Sequence, residues 1–300
     1  MDMLVQTLAD GLVIGAFYSL IALGYTMVFG IIKLLNFAHG DLYMLGAFVG
    51  YTLLSLLSGN GAGAGLMGIV VVLLLTMVIV GLIGMGIERV AYRPLLLAPR
   101  LSILITALGV SLFLENGSMI AWGAQYQVYP LQLSHDGWNV LGAQITYTQM
   151  GLVLISALLM LGLHLFISRT LYGKAMRAIA HDQTACHLMG IDVHKVIGLT
   201  FFIGASLAAG AGTMAGAYYG TVNFMMGFII GLKAFTAAVL GGIGSIPGAM
   251  LGGLLLGMME TAGTFVFGSS WKDVVAFSLL ILILVLRPTG IMGEKVTERM

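Results

Sequence analysis

Charged side chains leave long gaps along this chain. No Asp, Glu, Lys or Arg occurs in 11–32, 42–87, 137–168, 196–232 or 234–259. Crossing the hydrocarbon core of a bilayer takes roughly 20 apolar residues in a helix, and each gap exceeds that. The apolar runs divide into nine predicted segments, about 11–32, 42–58, 66–87, 101–121, 149–167, 196–219, 225–243, 247–267 and 271–287. The runs are continuous rather than alternating, which excludes a membrane barrel. All five prolines fall outside these segments or at their edges, as expected of a residue that fits poorly inside a helix. Segments two, seven and nine are short, and the seventh is interrupted by glycines and carries Lys233. Any of these could be a half-helix, so the expectation is an all-α polytopic membrane protein of nine, or eight to nine, transmembrane helices. Residues 1–300 form one transmembrane domain, with a polar loop at 168–195 and another at 122–148.

Composition sharpens the picture. Only 8% of residues are charged, against 59% hydrophobic, with a mean hydropathy of +1.04. A soluble domain carries about 25% charged residues, so soluble enzyme folds are excluded. The 43 glycines point to close helix packing, since small residues let backbones approach where lipid gives no hydrophobic drive. A net charge of +1 offers no electrostatic case for nucleic acid. The lone cysteine, Cys186, cannot form an internal disulfide or a thiolate metal cluster. The start, Met1-Asp2-Met3, lacks a basic region, so the first apolar run is expected to be retained rather than cleaved.

Lys and Arg collect in cytoplasmic loops. Arg89, Arg93 and Arg100 lie in 88–100; Arg169, Lys174, Arg177 and Lys195 in 168–195; Arg287, Lys295 and Arg299 in the tail. The stretches 1–10 and 122–148 hold none. Nine crossings place all three basic stretches on one side, with the N-terminus outside and the C-terminus in the cytoplasm; eight would break that parity. One internal echo is present. Asn36-Phe37-x-x-Gly40 followed by Ala47-Phe48 recurs as Asn223-Phe224-x-x-Gly227 followed by Ala234-Phe235, every matched pair at the same separation. With the two copies starting at opposite sides, this suggests an inverted repeat, against chance in a sequence rich in Gly, Ala and Phe.

Three groups of residues are candidates for function. From Lys174 to Met189 nothing in the sequence breaks a helix. Arg177, His181 and Thr184 fall on one polar stripe, while Met176, Ile179, Ala180 and Met189 supply an apolar side. Gly190 suits a left-handed cap and Asp192 could cap the next span. This amphipathic helix either lies on the lipid surface or docks a soluble partner. Asn36, His39 and Asp41 stand at the junction of the first two segments, as a solvated turn or as a gate; one His and one Asp do not make a metal site. Glu115, His164, Lys233 and Glu260 fall inside spans, where charges normally face the bundle interior and pair. Lys233 with Glu115 or Glu260 is the obvious pair, structural or in contact with a zwitterionic solute.

Thr184-Ala185-Cys186-x-x-x-Gly190 resembles the EAA loop of ABC importer permeases, though Glu and Ala are common where Thr184 and Cys186 stand. Residues 172–216, 11–48 with Asn36-Phe37-Ala38-His39-Gly40, and 231–261 resemble branched-chain amino acid permeases of the LivH type. The resemblance implies a single permease domain in the bacterial inner membrane, paired with a second homologous permease. Two cytoplasmic ATPases would supply energy, and an extracytoplasmic binding protein would deliver leucine, isoleucine or valine. It also implies that Arg177, His181, Asp182, Thr184, Ala185 and Gly190 belong to the ATPase-coupling loop. No Gly-x-x-x-x-Gly-Lys-[Ser/Thr] occurs in the chain, so the expectation is a non-catalytic subunit with no cofactor of its own, ATP and Mg²⁺ residing on the partners. Urea, short amides or another small polar solute remain alternative cargoes, and an ion-coupled secondary transporter an alternative class. An intramembrane enzyme is disfavoured, since neither His-Glu-x-x-His nor Gly-x-Ser-x-Gly is present.

Overall fold

In lipid every backbone N–H and C=O must find a partner within the protein, so each charge-free run closes its own ladder as a helix. A computed structural model describes residues 2–33, 36–59, 66–95, 98–131, 136–140 and 143–293. The helices are α1 (Asp2–Ile32), α2 (His39–Gly59), α3 (Leu66–Ile87), α4 (Arg100–Trp122), α5 (Tyr147–Arg169), α6 (Leu171–His181), α7 (Gln183–Leu188), α8 (Val193–Tyr219), α9 (Met226–Gly241), α10 (Ile246–Phe267) and α11 (Lys272–Leu286). Among the described residues eight helical stretches are long and apolar enough to cross a membrane. The predicted seventh segment becomes α9, whose 16 residues rise about 24 Å, short of the roughly 30 Å hydrocarbon core. It is the half-helix that its glycines suggested.

Hydrogen bonds between helix ends show which ends lie together. Asp10 near the start of α1 accepts from Gln149 Nε2 at the start of α5 (2.7 Å) and from Tyr218 Oη at the end of α8 (3.1 Å). At this same end β1 (Gln127–Val128), after α4, pairs antiparallel with β4 (Thr221–Val222), after α8, and β2 (Gly137–Val140) pairs with β3 (Ala143–Thr146). At the opposite end Gln183 Nε2 donates to Ile31 O (3.3 Å). There the backbone N–H groups of Ile291 and Met292 donate to Leu240 O and Gly241 O. The first helix therefore starts at the strand end, and the described part of the tail lies at the loop end. That agrees with an odd number of passes, α9 included. Lys295 and Arg299 lie outside the described residues.

The echo in the sequence is a structural repeat. It maps α1 onto α8 and α2 onto α9, and α1 and α8 run in opposite directions, so the repeat is inverted. The packing follows suit. α1 lies along α10 as α8 lies along α3, α2 rests on α8 as α9 rests on α1, and α1–α8 and α2–α9 meet across the centre. Ser19 Oγ donates to Met250 O of α10 (2.7 Å), and its repeat counterpart Ser206 donates through Oγ to Met77 O of α3 (2.8 Å). Small residues permit these contacts. A Cβ on Gly253 would collide with Ser19, one on Gly257 with Gly15, and one on Gly84 with Ala205. α1 and α8 are thereby buried along most of their length, while α4, α5 and α11 expose broad apolar faces.

Candidate functional site

The 168–195 loop does not form one helix. It splits at Asp182, whose extended backbone (φ −154°) ends α6, and whose carboxylate accepts from Ala185 N (2.9 Å) to cap α7. Asp is a strong N-cap residue, and the run without Gly or Pro hid the break. Thr170 opens α6 by accepting from Gly173 N (3.1 Å), a turn tight enough that any Cβ on Gly173 would strike the Ile167 carbonyl. Met176 and Ile179 bury against the bundle, as does Cys186 of α7. The Arg177 guanidinium donates to Ile167 O. Met189, expected on the apolar side, is instead 82% exposed, and Leu188 beside it 85%. They stand at a turn that points outward. Ala180, half-buried, faces a cavity of about 80 Å³ between Thr26 and Gly30 of α1, Met176 and Arg177 of α6, and Gly244 before α10.

Gly190 takes the expected left-handed conformation (φ +81°), with Ile191 N donating to Cys186 O (3.0 Å) to close the turn. Asp192 caps α8 by accepting from Lys195 N (3.1 Å) and pairs with Lys195 Nζ (3.0 Å). The hydrogen bonds from Lys195 hold its carboxyl below the ordinary carboxylate range. Leu171, Tyr172, His181, Thr184, Leu188 and Met189 are left exposed on the outer surface of this helix pair. Arg177, His181 and Thr184 of the predicted polar stripe are exposed, but beside apolar side chains, among them Met189, which periodicity had placed inward.

Asn36, His39 and Asp41 are neither solvated nor at the membrane boundary. All three are buried. His39 packs its ring on Tyr25 (centroids 4.8 Å apart, edge-on) and fills the space that Gly24 leaves. Gly24 lies eight residues before the end of α1, so α2 starts about 12 Å inside the bundle. Asn36 Oδ1 accepts from Tyr92 Oη (2.6 Å), supplied by a π-helical turn, Glu88–Tyr92, that follows α3. The second copy of the motif brings the start of α9 to the same place, and Gly40 lies against Gly227 and Gly231 with no room for a Cβ on any of the three. The His39 Nε2 has no hydrogen-bond partner among the described residues, and neither Asp41 carboxylate oxygen accepts from a backbone N–H or a cation there.

Lys233 finds its carboxylate in Glu260 (2.9 Å), and also Asp273 (2.6 Å), while Lys272 approaches Glu260 (3.3 Å). Two cations and two anions thus tie α9, α10 and α11 together. Glu115 stands apart, half-buried on α4 and in no ion pair among the described residues. The sequence reading missed Lys272 and Asp273, although two opposite charges opening the last apolar run are a visible signal. It also missed Glu88, buried and held by Arg93 Nε and Nη2 (3.2 and 3.0 Å). Nothing in the local pattern marks that pair. Among the described residues no three His, Cys, Asp or Glu side chains converge as a metal site would require.

Residues 7–284 match the family described as the permease component of the branched-chain amino acid transport system. The chain is 47% identical to the high-affinity branched-chain amino acid transport system permease protein BraD of Pseudomonas aeruginosa, covering 98% of this chain and 97% of that one. It is 44% identical to the permease protein LivH of Escherichia coli K12, with the same coverage. A probable branched-chain amino acid permease of Methanocaldococcus jannaschii is 28% identical over 91% of this chain and 88% of its own length. With a family match along nearly the whole chain and two relatives similar to it from end to end, this chain belongs to the branched-chain amino acid transport system permease component family.

Proposed function

We propose that this chain is one of two transmembrane permease subunits of an ATP-driven importer, through which leucine, isoleucine and valine pass after delivery by an extracytoplasmic binding protein. The end-to-end similarity to BraD and LivH carries the reading of the cargo. The α6–α7 helix pair supports the reading of the partners. It is seated on the ends of α1 and α5 through Gln183 and Arg177, and it leaves Leu171, Tyr172, Leu188 and Met189 uncovered, a surface suited to a groove on a soluble subunit. In this reading two ATPases bind there, holding ATP and Mg²⁺, and the permease performs no chemistry itself. The basic residues of 168–195 make the loop end cytoplasmic. The N-terminus and the strands β1–β4 then face outward, in a bacterial inner membrane, and the C-terminus faces the cytoplasm.

Coexpression with the neighbouring transport genes tests the assembly: a second permease and two ATPase chains should copurify, and proteoliposomes should take up radiolabelled leucine on ATP and loaded binding protein. Uptake of urea rather than leucine would refute the cargo. For sidedness, in a Cys186→Ser background, Gln144→Cys should react with an impermeant maleimide on intact cells and Thr184→Cys should not; the reverse pattern would overturn the orientation.

A further inference from the structure

Asp41 occupies an unusual position. It lies in the first turn of α2, against Gly227 in the first turn of α9, where the two helix N-termini meet inside the bundle. Helix N-termini favour a carboxylate, so a purely structural role would be to cap them. The chain shows what such a cap looks like: Asp182 and Asp192 each accept a backbone N–H at about 3 Å. Asp41 accepts none. Its residue is 0% exposed, and neither carboxylate oxygen accepts from a backbone N–H or a cation among the described residues.

The helix facing Asp41 is α4, through Ser111 and Glu115. Ser111, Glu115 and Ser118 are spaced i, i+4 and i+7, so they form one stripe. Ser118 Oγ is buried and unpartnered. The stripe is fixed by Trp122, which stacks on Phe48 (5.0 Å) and donates to Thr52 Oγ1 (2.8 Å), locking α4 onto α2. Ser111 is the midpoint of α4, so two carboxylates lie near mid-membrane depth with no Lys or Arg paired to either among the described residues. Glu115 is only half-buried, at the surface of the chain. A carboxylate there is expensive against lipid and is normally found facing a water-filled path. The charge cluster around Lys233 is different in kind, since each of its carboxylates is paired with a lysine.

Resting on the importer reading above, we infer that Asp41 and Glu115 form the ammonium-binding point of the translocation pathway, taking the protonated α-amino group of the passing amino acid at the face lined by α2, α4 and the start of α9. Substrate sites near the midplane beside interrupted helices are a general solution for moving a polar solute through a bundle. Asp41 supplies a buried carboxylate that faces the Ser111 hydroxyl and is paired with no Lys or Arg among the described residues, and Glu115 the carboxylate exposed toward the path.

The test uses the complete transporter in proteoliposomes, reading leucine uptake beside binding-protein-stimulated ATP hydrolysis. Glu115→Gln and Asp41→Asn should each lower uptake on the order of tenfold while stimulated hydrolysis persists, and Glu115→Asp should restore most of the uptake. In a Cys186→Ser background the Glu115→Cys thiol should react with water-soluble methanethiosulfonates, the cationic ethylammonium reagent faster than the anionic sulfonate because Asp41 is beside it. If Asp41→Asn does not fold, the Glu115 variants decide. Unchanged uptake in Glu115→Gln overturns the inference. So does a thiol sealed from both reagents, or joint loss of uptake, hydrolysis and assembly in Glu115→Gln. Failure of the wild-type transporter to take up leucine refutes the cargo reading instead, and the reagent preference then still decides whether this face is an acidic water path.

Discussion

Gly40 and Gly227 stand far apart in the chain and back to back in the fold. Each closes an Asn-Phe-x-x-Gly motif, each lies in the first turn of a helix, and the Cβ of any other residue at Gly40 would strike the Gly227 carbonyl. The inverted repeat thus meets itself at its own signature. Gly40→Val should prevent the two helix starts from docking and sharply reduce the amount of folded protein recovered in mild detergent. Gly40→Ala should give an intermediate yield. Wild-type yield from Gly40→Val would contradict the contact.

The same reasoning separates glycines that pack from glycines that do not. Gly253→Ala places a methyl against Ser19 in the α1–α10 contact, whereas a methyl at Gly162 of α5 meets nothing within 4 Å. Overpacking a tight contact costs about 1–3 kcal/mol, while a helical Gly→Ala change in open space gains roughly 0.5–1 kcal/mol. Thermal unfolding in detergent should therefore fall for Gly253→Ala and hold or rise for Gly162→Ala.

Lys233 is buried between Glu260 and Asp273, so removing it leaves Glu260 with only the more exposed Lys272. Breaking a buried pair from one side costs about 3–5 kcal/mol. Lys233→Met should lower folded yield strongly, and Lys233→Met combined with Glu260→Gln should recover part of the loss. Additive effects in that double-mutant cycle would show that the pair contributes nothing beyond its separate members.

At Gly190 the strain is in the backbone alone, because φ is +81° and no atom lies within 4 Å of an added Cβ. Gly190→Val should cost about 1–2 kcal/mol locally and misdirect α7. The expected phenotype is a permease that inserts normally, copurifies poorly with its ATPases and fails in transport. Gly190→Asn should be milder, since Asn tolerates the left-handed region. Normal copurification and transport in Gly190→Val would make the helix pair a mere connector.

The apolar helices and their order were legible in the sequence, because a bilayer leaves an apolar run little choice but a helix of about its own thickness. The caps at Gly190 and Asp192 were legible too, since each depends on a few neighbouring residues. The Lys233–Glu260 pair was legible, because a buried cation demands a partner and Glu260 lies in the adjacent segment, but that Asp273 and Lys272 join it required knowing which helices touch. The break at Asp182, the outward turn of Met189, the depth of Asn36, His39 and Asp41, and the solitary Glu115 were not legible. The first two are local turns whose signals a continuous run of helix formers masks; the others are set by residues far apart in the chain, brought together only where glycine-lined helices approach closely enough to bury them. Sequence alone determined that this chain crosses the membrane and where. Its tertiary packing decided that the motif open to reading as a solvated turn or a gate lies inside the bundle, because the second copy arrives from the other side to meet it.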